Sequence, residues 1–524
     1  MGTGLLRECN LLEGRRPRLP LCRWRGAGAH RRGGGLVGAL QRKGPTIQPA
    51  RLPTPEPPIA DTDTPVSNAN TPFYDQVAVE HLREFGALML AIEHRYYGCH
   101  NASACPYTAT DTTPLRWLSS RQALADVATF HAHISAEFRL PSTTKWVTFG
   151  GSYPGMLASW ARLLYPSLIH ASISSSAPVH AKLDMPEYNN LVARAYSLPS
   201  VGGSAACRDA IATGHAAIGA LMQSAIGRSV LVSKFASLHN LGAGWLEARE
   251  HRAQFAGGGV ASFPAQSNDP SCRLPGCSVG SICTLMASAP GSAVDKLAAL
   301  ARAQLAAGLL APLSQGAAEM RAAEMEVAAT EVAATEVAAT EAAVRAAAME
   351  AVETEAAALA AATTKEAARA AALAAHNAAL DYWGYQTCTE FGFYQTCELG
   401  SGCFFTQGLV DLNGSLAFCD SDYAISRDSI VNSISRSNAV YGGLRPDLRF
   451  GPETARRVLY VNGDVDPWSA LAILRSPQPE ALPAIANVSG ASHHAWTHPS
   501  QATDQRTVVE ARKAIVRQLR VWLE

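Results

Sequence analysis

The stretch "WVTFGGSYPGMLASWARLLYP", from Trp146 to Pro166, combines a short apolar strand, a serine that follows two glycines, and an amphipathic helix. From Met156 onward, apolar residues recur three and four positions apart, which is typical of a helix with one buried face. A serine on a sharp turn between a strand and a helix forms the nucleophile elbow of α/β-hydrolases, where its hydroxyl projects above the sheet. The stretch therefore predicts that Ser152 is a catalytic nucleophile.

Pro154 stands two residues after this serine, at a position where such elbows usually carry glycine. Proline is tolerated in the first helical turn because its missing N–H would find no intrahelical acceptor there. Its ring also disfavours the α conformation at the preceding residue, so we expect the helix to start at Pro154. The backbone N–H of Tyr153 is unaffected, and we expect it to donate to the oxyanion of acyl transfer.

A serine nucleophile requires a general base and a residue that orients this base. In α/β-hydrolases these follow in the chain order Ser, Asp, His, each on a loop after a strand. Asp466 follows the apolar run "VLYVN", and His493 follows "AIANV" further along the chain. Because the carboxyl ends of parallel strands meet at one edge of the sheet, the sequence predicts a triad of Ser152, Asp466 and His493.

Neighbouring residues compete for two of these roles. Asp464 is close to Asp466, but it lies in an Asn-Gly-Asp turn, where a side chain that caps the turn is a sufficient explanation. His494 and His498 compete with His493, and these alternatives stay open at the level of the sequence.

Strands alternate with helices on both sides of the elbow. "FGALMLAIEHRYYG" and "HASISSSAP" are typical of strands, whereas "SSRQALADVATFHAHISAEF" and the terminal "RTVVEARKAIVRQLRVWLE" are typical of helices. This alternation indicates an α/β protein with a mostly parallel sheet. Residues 190–380 are instead helical and alanine-rich. We therefore expect an α/β-hydrolase core, formed by residues 73–189 and 381–524, with an inserted helical cap domain at 190–380.

Two segments differ in composition from the rest of the chain. Residues 1–72 are basic and proline-rich without an apolar signal-peptide core, so we expect a disordered leader or an unreliable start. An alanine-rich insertion at about 300–376 contains a five-residue repeat at 326–344. Each repeat turns its glutamate by about 140° around the helix axis, which leaves no apolar stripe. This excludes an ordinary coiled coil and predicts a solvated helix or a flexible insertion.

Charge and hydropathy exclude two classes of protein. The formal net charge is zero, which argues against nucleic-acid binding, since neutralising phosphates requires a basic surface. The chain has no apolar run of the roughly 18 residues that cross a membrane, so we expect no membrane span.

Ten of the 12 cysteines fall between Cys99 and Cys419. A zinc site is the competing explanation, but the sequence has no CxxC pair and no histidine cluster at ligand spacing. Disulfides formed in an oxidising compartment are therefore favoured. Three glycosylation sequons, at Asn101, Asn413 and Asn487, are compatible with this compartment. We expect neither a metal nor another cofactor.

Several of these stretches are shared with a known family. They are "EHRYYG" (93–98), "LSSRQALADVA" (118–128), "GGSYPG" (150–155), "YQTCTEFGFYQTC" (385–397), "VNGDVDPW" (461–468) and the loop of His493 and His494. In them the chain resembles the family of prolyl carboxypeptidase, dipeptidyl peptidase II and thymus-specific serine protease, over roughly 73–300 and 380–524. The resemblance implies an α/β-hydrolase with a helical cap and the triad roles given above for Ser152, Asp466 and His493.

The resemblance also implies two disulfides, Cys388 with Cys419 and Cys207 with Cys397. It further implies a secreted, lysosomal or vacuolar location, and it allows a homodimer.

A proline-directed site needs a compact apolar pocket, because the pyrrolidine ring has no polar group to hold. The resemblance places substrate-binding residues of the family at Met156, Phe393 and Trp468. The alternative is that all three belong to the core.

The resemblance implies a serine exopeptidase that acts on peptides next to proline, either as an X-Pro dipeptidyl peptidase or as a Pro-X carboxypeptidase. One alternative is an esterase on the same fold. Another is an inactive homologue that acts as a binding protein. Nothing before "FYDQVAVEHL" matches the family's first strand pair and glycine-rich loop, which would supply a second oxyanion donor, and "RRGGGLVGAL" has no strand before its glycines.

Overall fold

A computed structural model of the chain describes residues 36–40, 76–97, 113–239, 244–311, 380–476 and 478–524, together with Tyr107, Gly242 and Leu313. Its strands are β1 (Leu36–Leu40), β2 (Leu88–Ile92), β3 (Lys145–Gly151), β4 (Ala171–Ser175), β5 (Lys182–Asp184), β6 (Gly392–Tyr394), β7 (Val458–Gly463) and β8 (Ala484–Val488).

The α-helices before β6 are α1 (Gln76–Phe85), α2 (Ser120–Glu137), α3 (Tyr153–Leu164), α4 (Pro186–Ala195), α5 (Ala205–Met222), α6 (Ala225–His239), α7 (Arg249–Ala256), α8 (Val279–Ser288), α9 (Ala293–Ala306) and α10 (Tyr382–Gln386). Those after β6 are α11 (Leu412–Tyr423), α12 (Arg427–Tyr441), α13 (Pro446–Phe450) and α14 (Arg506–Leu523). A π-helical turn (Thr387–Phe391) follows α10, and a 3₁₀-helix (Pro467–Leu471) follows β7.

Six of the described strands form a sheet in the order β2-β1-β3-β4-β7-β8. Strands β3, β4, β7 and β8 are parallel, and their register aligns Gly151 with Ser175, Ser175 with Val461, and Val461 with Ile485. The carboxyl ends of these strands therefore meet at one edge, as predicted for an α/β protein with a parallel sheet.

Strand β1 lies between β2 and β3 and runs antiparallel to both, with Val37 opposite Phe149 and Leu36 opposite Ile92. It falls within residues 1–72, for which a disordered leader or an unreliable start was expected, and Leu36–Leu40 are a strand of the sheet. The physical reason is that β1 pairs with backbone groups on one side of β3 that need hydrogen-bond partners. The remaining residues of the leader lie outside the described ranges.

Helices cover both faces of the sheet. On one face, Val147 and Ile173 pack in one buried cluster with Ile515 and Leu519 of α14 and with Val77 of α1. The buried residues of α14 recur every three or four positions, as its amphipathic sequence predicts. On the opposite face, a second cluster includes residues of α2 and α3. The elbow between β3 and α3 is thus anchored by a core on each side.

Strands β5 and β6 pair in parallel as a separate two-stranded sheet, and the described helices α4–α9 follow β5 in the chain. Helices α5, α8 and α9 contribute Ile211, Ile282 and Leu297 to a separate buried cluster. The helical stretch was predicted over residues 190–380; the structure describes helices α4–α9 within Pro186–Ala306, and most of the stretch from 312 to 379 lies outside the described residues. The five-residue repeat at 326–344 lies outside the described residues.

Of the two disulfides that the resemblance implied, one is confirmed. Cys388 of the π-helical turn is bonded to Cys419 of α11. This link fastens the "YQTCTEF" stretch to the helix that packs beside it.

The pairing of Cys207 with Cys397 is wrong. Cys207 of α5 is bonded to Cys283 of α8, with Cα atoms 5.2 Å apart, and Cys397 is bonded to Cys403 within one turn. A disulfide requires Cα atoms within about 7 Å, and α5 packs directly against α8. Sequence spacing cannot reveal which helices become neighbours.

Candidate active site

Ser152 lies on the turn between β3 and α3, where its backbone adopts φ 60° and ψ −130°. A positive φ is uncommon for a residue with a β-carbon and carries strain, as expected of a nucleophile elbow. The Ser152 N–H donates to the carbonyl of Ser175 at 2.9 Å, which ties the turn to β4. The side chain is half-buried and makes no capping hydrogen bond to α3, so helix capping does not occupy the hydroxyl.

Two glycines make this turn possible. A β-carbon on Gly150 would lie 2.2 Å from the carbonyl oxygen of Pro154, and one on Gly155 would lie 2.8 Å from that of Ser175. Both obstacles are backbone atoms within packed elements and cannot rotate aside. The close approach of β3, α3 and β4 around Ser152 therefore depends on glycine at these positions.

Helix α3 begins at Tyr153, one residue earlier than predicted. The Met156 N–H donates to the carbonyl of Ser152 at 3.1 Å, and this first-turn bond outweighs the bias that Pro154 imposes on Tyr153. The Tyr153 N–H is in the first turn, where helical N–H groups have no intrahelical acceptor. It lies next to the nucleophile candidate in the chain, and its role as an oxyanion donor stays a prediction.

Asp466 and His493 form a buried pair on the loops after β7 and β8. Asp466 Oδ1 lies 2.9 Å from His493 Nδ1, and the two residues are 0% and 6% exposed. The same oxygen accepts the Trp468 N–H at 3.0 Å, which fixes the carboxylate. Because a carboxylate only accepts, Nδ1 carries a proton, and in the tautomer that can act as a base Nε2 is the acceptor. Nε2 has no hydrogen-bond partner among the described residues.

The loop of His493 lies over the sheet edge that carries Ser152. The N–H of His494 donates to Ser176 Oγ at 2.8 Å, and Ser176 directly follows β4. A β-carbon on Gly151 would lie 2.9 Å from the His494 ring. In the described part of the chain no hydrogen bond joins Ser152 Oγ to His493 Nε2. Catalytic hydrogen bonds are often long in enzymes without substrate and tighten when it binds.

The competing residues have other partners. Asp464 Oδ1 accepts the Gly490 N–H at 2.6 Å, and burial raises the pKa of its carboxyl group. His494 Nδ1 lies 3.0 Å from Thr497 Oγ1, and its ring stacks on that of His498. Burial lowers the pKa of both of these histidines. The Asp464 side chain thus holds the turn after β8, and Asp466 is the aspartate bonded to His493.

The three pocket candidates lie in one apolar cluster on the α3 side of the sheet. The rings of Phe393 and Trp468 pack edge to face with centroids 5.5 Å apart. Met156 is fully buried in α3, one turn after Ser152. The Trp468 ring centroid is 6.4 Å from that of His493. Trp468 therefore lies beside the Asp–His pair and Phe393 packs on Trp468, while all three candidates are buried members of the core cluster.

Sequence reasoning missed Gln266, which lies between α7 and α8. Its side-chain Oε1 accepts from Trp468 Nε1 at 2.8 Å and from the Tyr188 hydroxyl at 2.7 Å. Its backbone carbonyl accepts the His493 N–H at 3.1 Å. No local pattern marks this residue, because its partners are far away in the sequence.

A second missed feature is a chain of polar groups behind the elbow. The Tyr153 hydroxyl lies 3.0 Å from His94 Nε2 and accepts from Gln386 Nε2 at 3.0 Å. Gln386 Nε2 also donates to Glu390 at 3.0 Å, and Glu390 accepts the Ser120 hydroxyl at 2.6 Å. His94, Gln386 and Glu390 belong to the "EHRYYG" and "YQTCTEF" stretches. The family resemblance marks both stretches, but no sequence pattern shows that they are connected through Tyr153.

Burial sets the protonation of two groups in this chain. It lowers the pKa of His94 to about 4, so the ring is neutral at neutral pH. Its Nδ1 lies 2.7 Å from the Arg95 carbonyl and must donate to it, so Nε2 accepts from the Tyr153 hydroxyl. Burial also raises the pKa of Glu390, against the effect of the donors from Ser120 and Gln386.

Within the described ranges, no three His, Cys, Asp or Glu side chains are grouped as metal ligands. The helices searched there include none long and apolar enough to cross a membrane.

The strained serine elbow, the Asp–His pair and the parallel sheet are features of α/β serine hydrolases. The family model for serine carboxypeptidase S28 matches residues 64–515. The chain is 30% identical over 447 residues to the thymus-specific serine protease of Homo sapiens, covering 84% of this chain and 74% of that protein. The Mus musculus protein of that name gives 30% over 450 residues, with 84% and 75% covered. The chain therefore belongs to the serine carboxypeptidase S28 family, a family of serine peptidases, and the resemblance is confirmed.

A more local similarity is to the lysosomal Pro-X carboxypeptidase of Pongo abelii. This protein is 36% identical over 113 residues, which cover 21% of each chain.

Proposed function

We propose that this protein is a serine exopeptidase that hydrolyses peptide bonds next to proline. The observation that carries the proposal is the buried Asp466–His493 pair, whose Nε2 lacks a partner among the described residues. A base with a free, oriented Nε2 beside a strained serine elbow is the arrangement required for acyl transfer to serine.

In the proposed reaction, His493 Nε2 takes the proton of Ser152 Oγ as this oxygen attacks the peptide carbonyl. The imidazolium then donates this proton to the leaving amine, and water hydrolyses the acyl-enzyme by the same steps in reverse order. Asp466 keeps the Nδ1–H tautomer in place and stabilises the imidazolium. The Trp468 N–H at 3.0 Å holds the Asp466 carboxylate for this task.

The Tyr153 N–H is the proposed oxyanion donor. It stands at the amino end of the twelve-residue helix α3, where the helix dipole and free N–H groups favour negative charge. The contacts of the Tyr153 side chain with His94 and Gln386 fix the residue from behind. A donor held in this way needs no reorganisation when the tetrahedral intermediate forms.

The proposed proline pocket is formed by Met156, Phe393 and Trp468. Aromatic and thioether groups suit a saturated ring that offers no polar handle. The name of the locally similar lysosomal Pro-X carboxypeptidase agrees with this specificity. The described helical segment α4–α9 would act as the cap, because its Gln266 reaches the loops of Trp468 and His493. A cap in contact with the catalytic loops would restrict access to chain ends.

We also infer passage through the secretory pathway, to a lysosomal or extracellular site. Four disulfides among the described residues support this route, since such bonds persist in oxidising compartments. The name of the lysosomal relative points the same way.

Two measurements test the proposal. A fluorophosphonate probe should label the protein at Ser152, and Ser152→Ala should abolish labelling while thermal stability stays nearly unchanged. An X-Pro chromogenic amide and a C-terminal Pro-X peptide, assayed side by side, decide between the two exopeptidase modes. Absence of labelling would favour an inactive binding homologue. Preferred hydrolysis of simple esters would favour an esterase, and efficient internal cleavage without preference for proline would contradict the specificity.

A further inference from the structure

Gln266 joins three separate parts of the site. Tyr188 comes from α4, Trp468 from the 3₁₀-helix after β7, and His493 from the loop after β8. Tyr188 and Trp468 both donate to Gln266 Oε1, at 2.7 and 2.8 Å. The backbone carbonyl of Gln266 holds the His493 N–H at 3.1 Å. Gln266 therefore contacts both the proposed pocket, through Trp468, and the proposed base, His493.

The chemistry of the partners fixes the orientation of this amide. An indole N–H can donate but cannot accept, so the atom that faces Trp468 must be the amide oxygen. The Tyr188 hydroxyl, which converges on the same atom, must also donate. The assignment of O and N, often ambiguous in an amide, is thus determined here by two donors.

These two bonds fix the position of the Trp468 ring. The ring is packed edge to face against Tyr188, with centroids 5.3 Å apart, and against Phe393, with centroids 5.5 Å apart. The hydrogen bond at the indole nitrogen adds a directional constraint on the ring to this aromatic packing. The Trp468 side chain is therefore held in a fixed position where it would line the proposed pocket.

We propose that Gln266 is a positioning residue that sets the proline preference of this site by holding Trp468 and Tyr188 in place. The inference rests on the proposed function, since it concerns the pocket of that same reaction. It goes further because it assigns the proline selectivity to the side-chain amide of Gln266, which is not one of the proposed pocket residues. The backbone bond to His493 survives any substitution of the Gln266 side chain, so the selectivity can be altered while the base stays in place.

The test uses two phosphonate inactivators of Ser152 with identical leaving groups, one bearing a proline-like ring and one its alanine counterpart. The ratio of their inactivation rates measures selectivity in the pocket. Gln266→Leu should lower this ratio about tenfold. The Trp468 and Tyr188 donors lose their shared acceptor, and the free energy of such a hydrogen bond corresponds to about a tenfold change in an equilibrium or rate. Because both inactivators react with the same Ser152, a change in the reactivity of this serine cancels in the ratio.

Gln266→Glu supplies the rescue, since a carboxylate oxygen can accept from both Trp468 and Tyr188. Its ratio should return close to the wild-type value. Gln407→Leu is the matched control, because Gln407 makes three hydrogen bonds around Gly400, Ser401 and Cys403 in a turn that contains none of the site residues. The control should leave the ratio unchanged even if it lowers the melting temperature.

The inference is overturned if Gln266→Leu keeps the wild-type ratio, or if Gln266→Glu is as impaired as Gln266→Leu. A wild-type protein that the fluorophosphonate does not label overturns the proposed function and this inference with it. A labelled wild type whose ratio is insensitive to Gln266 overturns this inference alone.

Discussion

The Tyr153 hydroxyl and His94 Nε2 lie 3.0 Å apart, so the residue that follows the nucleophile candidate is hydrogen-bonded to a half-buried imidazole two residues after β2. The same hydroxyl accepts from Gln386. The proposed oxyanion donor is therefore supported by a residue from each half of the chain, and its support depends on a neutral His94.

The stability of the protein should depend on pH through His94. Burial lowers its pKa from 6.5 to about 4, so the unfolded chain binds this proton more readily than the folded one. The stabilising contribution is fully present above pH 6.5 and is lost as the pH falls towards 4. Its size is on the order of 3 kcal/mol.

His94→Gln keeps an acceptor for Tyr153 but removes the titrating ring. Urea unfolding at several pH values should show a shallower loss of stability between pH 6.5 and 4 in this variant. The control is His133→Gln, at a half-exposed position where the ring pairs with Glu137, and it should retain the wild-type slope. Identical slopes for wild type and His94→Gln would contradict the role of His94.

The two aspartates after β7 should differ strongly in their effect on catalysis. Asp466→Asn should lower kcat by about 10⁴-fold, because the amide favours the wrong tautomer of His493. Asp464→Asn should cost little, since its amide oxygen can still accept the Gly490 N–H and burial already disfavours the charge of Asp464. Steady-state kinetics with the preferred proline substrate measures both variants. Equal losses would mean that the triad is misassigned.

Alanine at Gly150 should disrupt the elbow. Its β-carbon would lie 2.2 Å from the Pro154 carbonyl oxygen, so we expect loss of soluble protein or of fluorophosphonate labelling, together with a lower melting temperature. Gly219→Ala in α5 is the matched control, because the nearest atom to its β-carbon is a Thr406 methyl group at 3.3 Å. That change should be neutral or stabilise by up to about 1 kcal/mol through helix propensity. A fully labelled Gly150→Ala protein would argue against the elbow geometry.

Peptide mapping without reduction should recover Cys207 linked to Cys283, and Cys397 linked to Cys403. Removing both Cys207 and Cys283 should cost about 2–5 kcal/mol, since this bond spans 76 residues. Removing Cys272 and Cys277, which are five residues apart, should cost less because the loop that they close is short. Denaturant midpoints measure the difference. A peptide linking Cys207 to Cys397 would instead restore the pairing expected from the resemblance.

The sequence predicted the features that depend on local pattern. β3, the serine and α3 are contiguous, so alternating apolar residues, glycines and helical spacing were enough to place Ser152 between them. The strands before Asp466 and His493 were recognisable for the same reason, and parallel strands bring their carboxyl ends to one edge. The alternation of strands and helices predicted the α/β class, and the shared sequence stretches gave the family resemblance.

The tertiary structure decided what depends on packing between distant segments. Asp466 contacts His493, whereas Asp464 accepts the Gly490 N–H of the same loop after β8. The two aspartates are only two residues apart, so their positions in the sequence do not show which one meets His493. Cys207 meets Cys283 because α5 packs on α8. Gln266 reaches Trp468 across 202 residues of sequence. A hydrophobic period shows which face of a segment is buried, but hydrophobic packing is non-directional and the period does not show which distant segment covers that face, so these contacts become visible only in the folded chain.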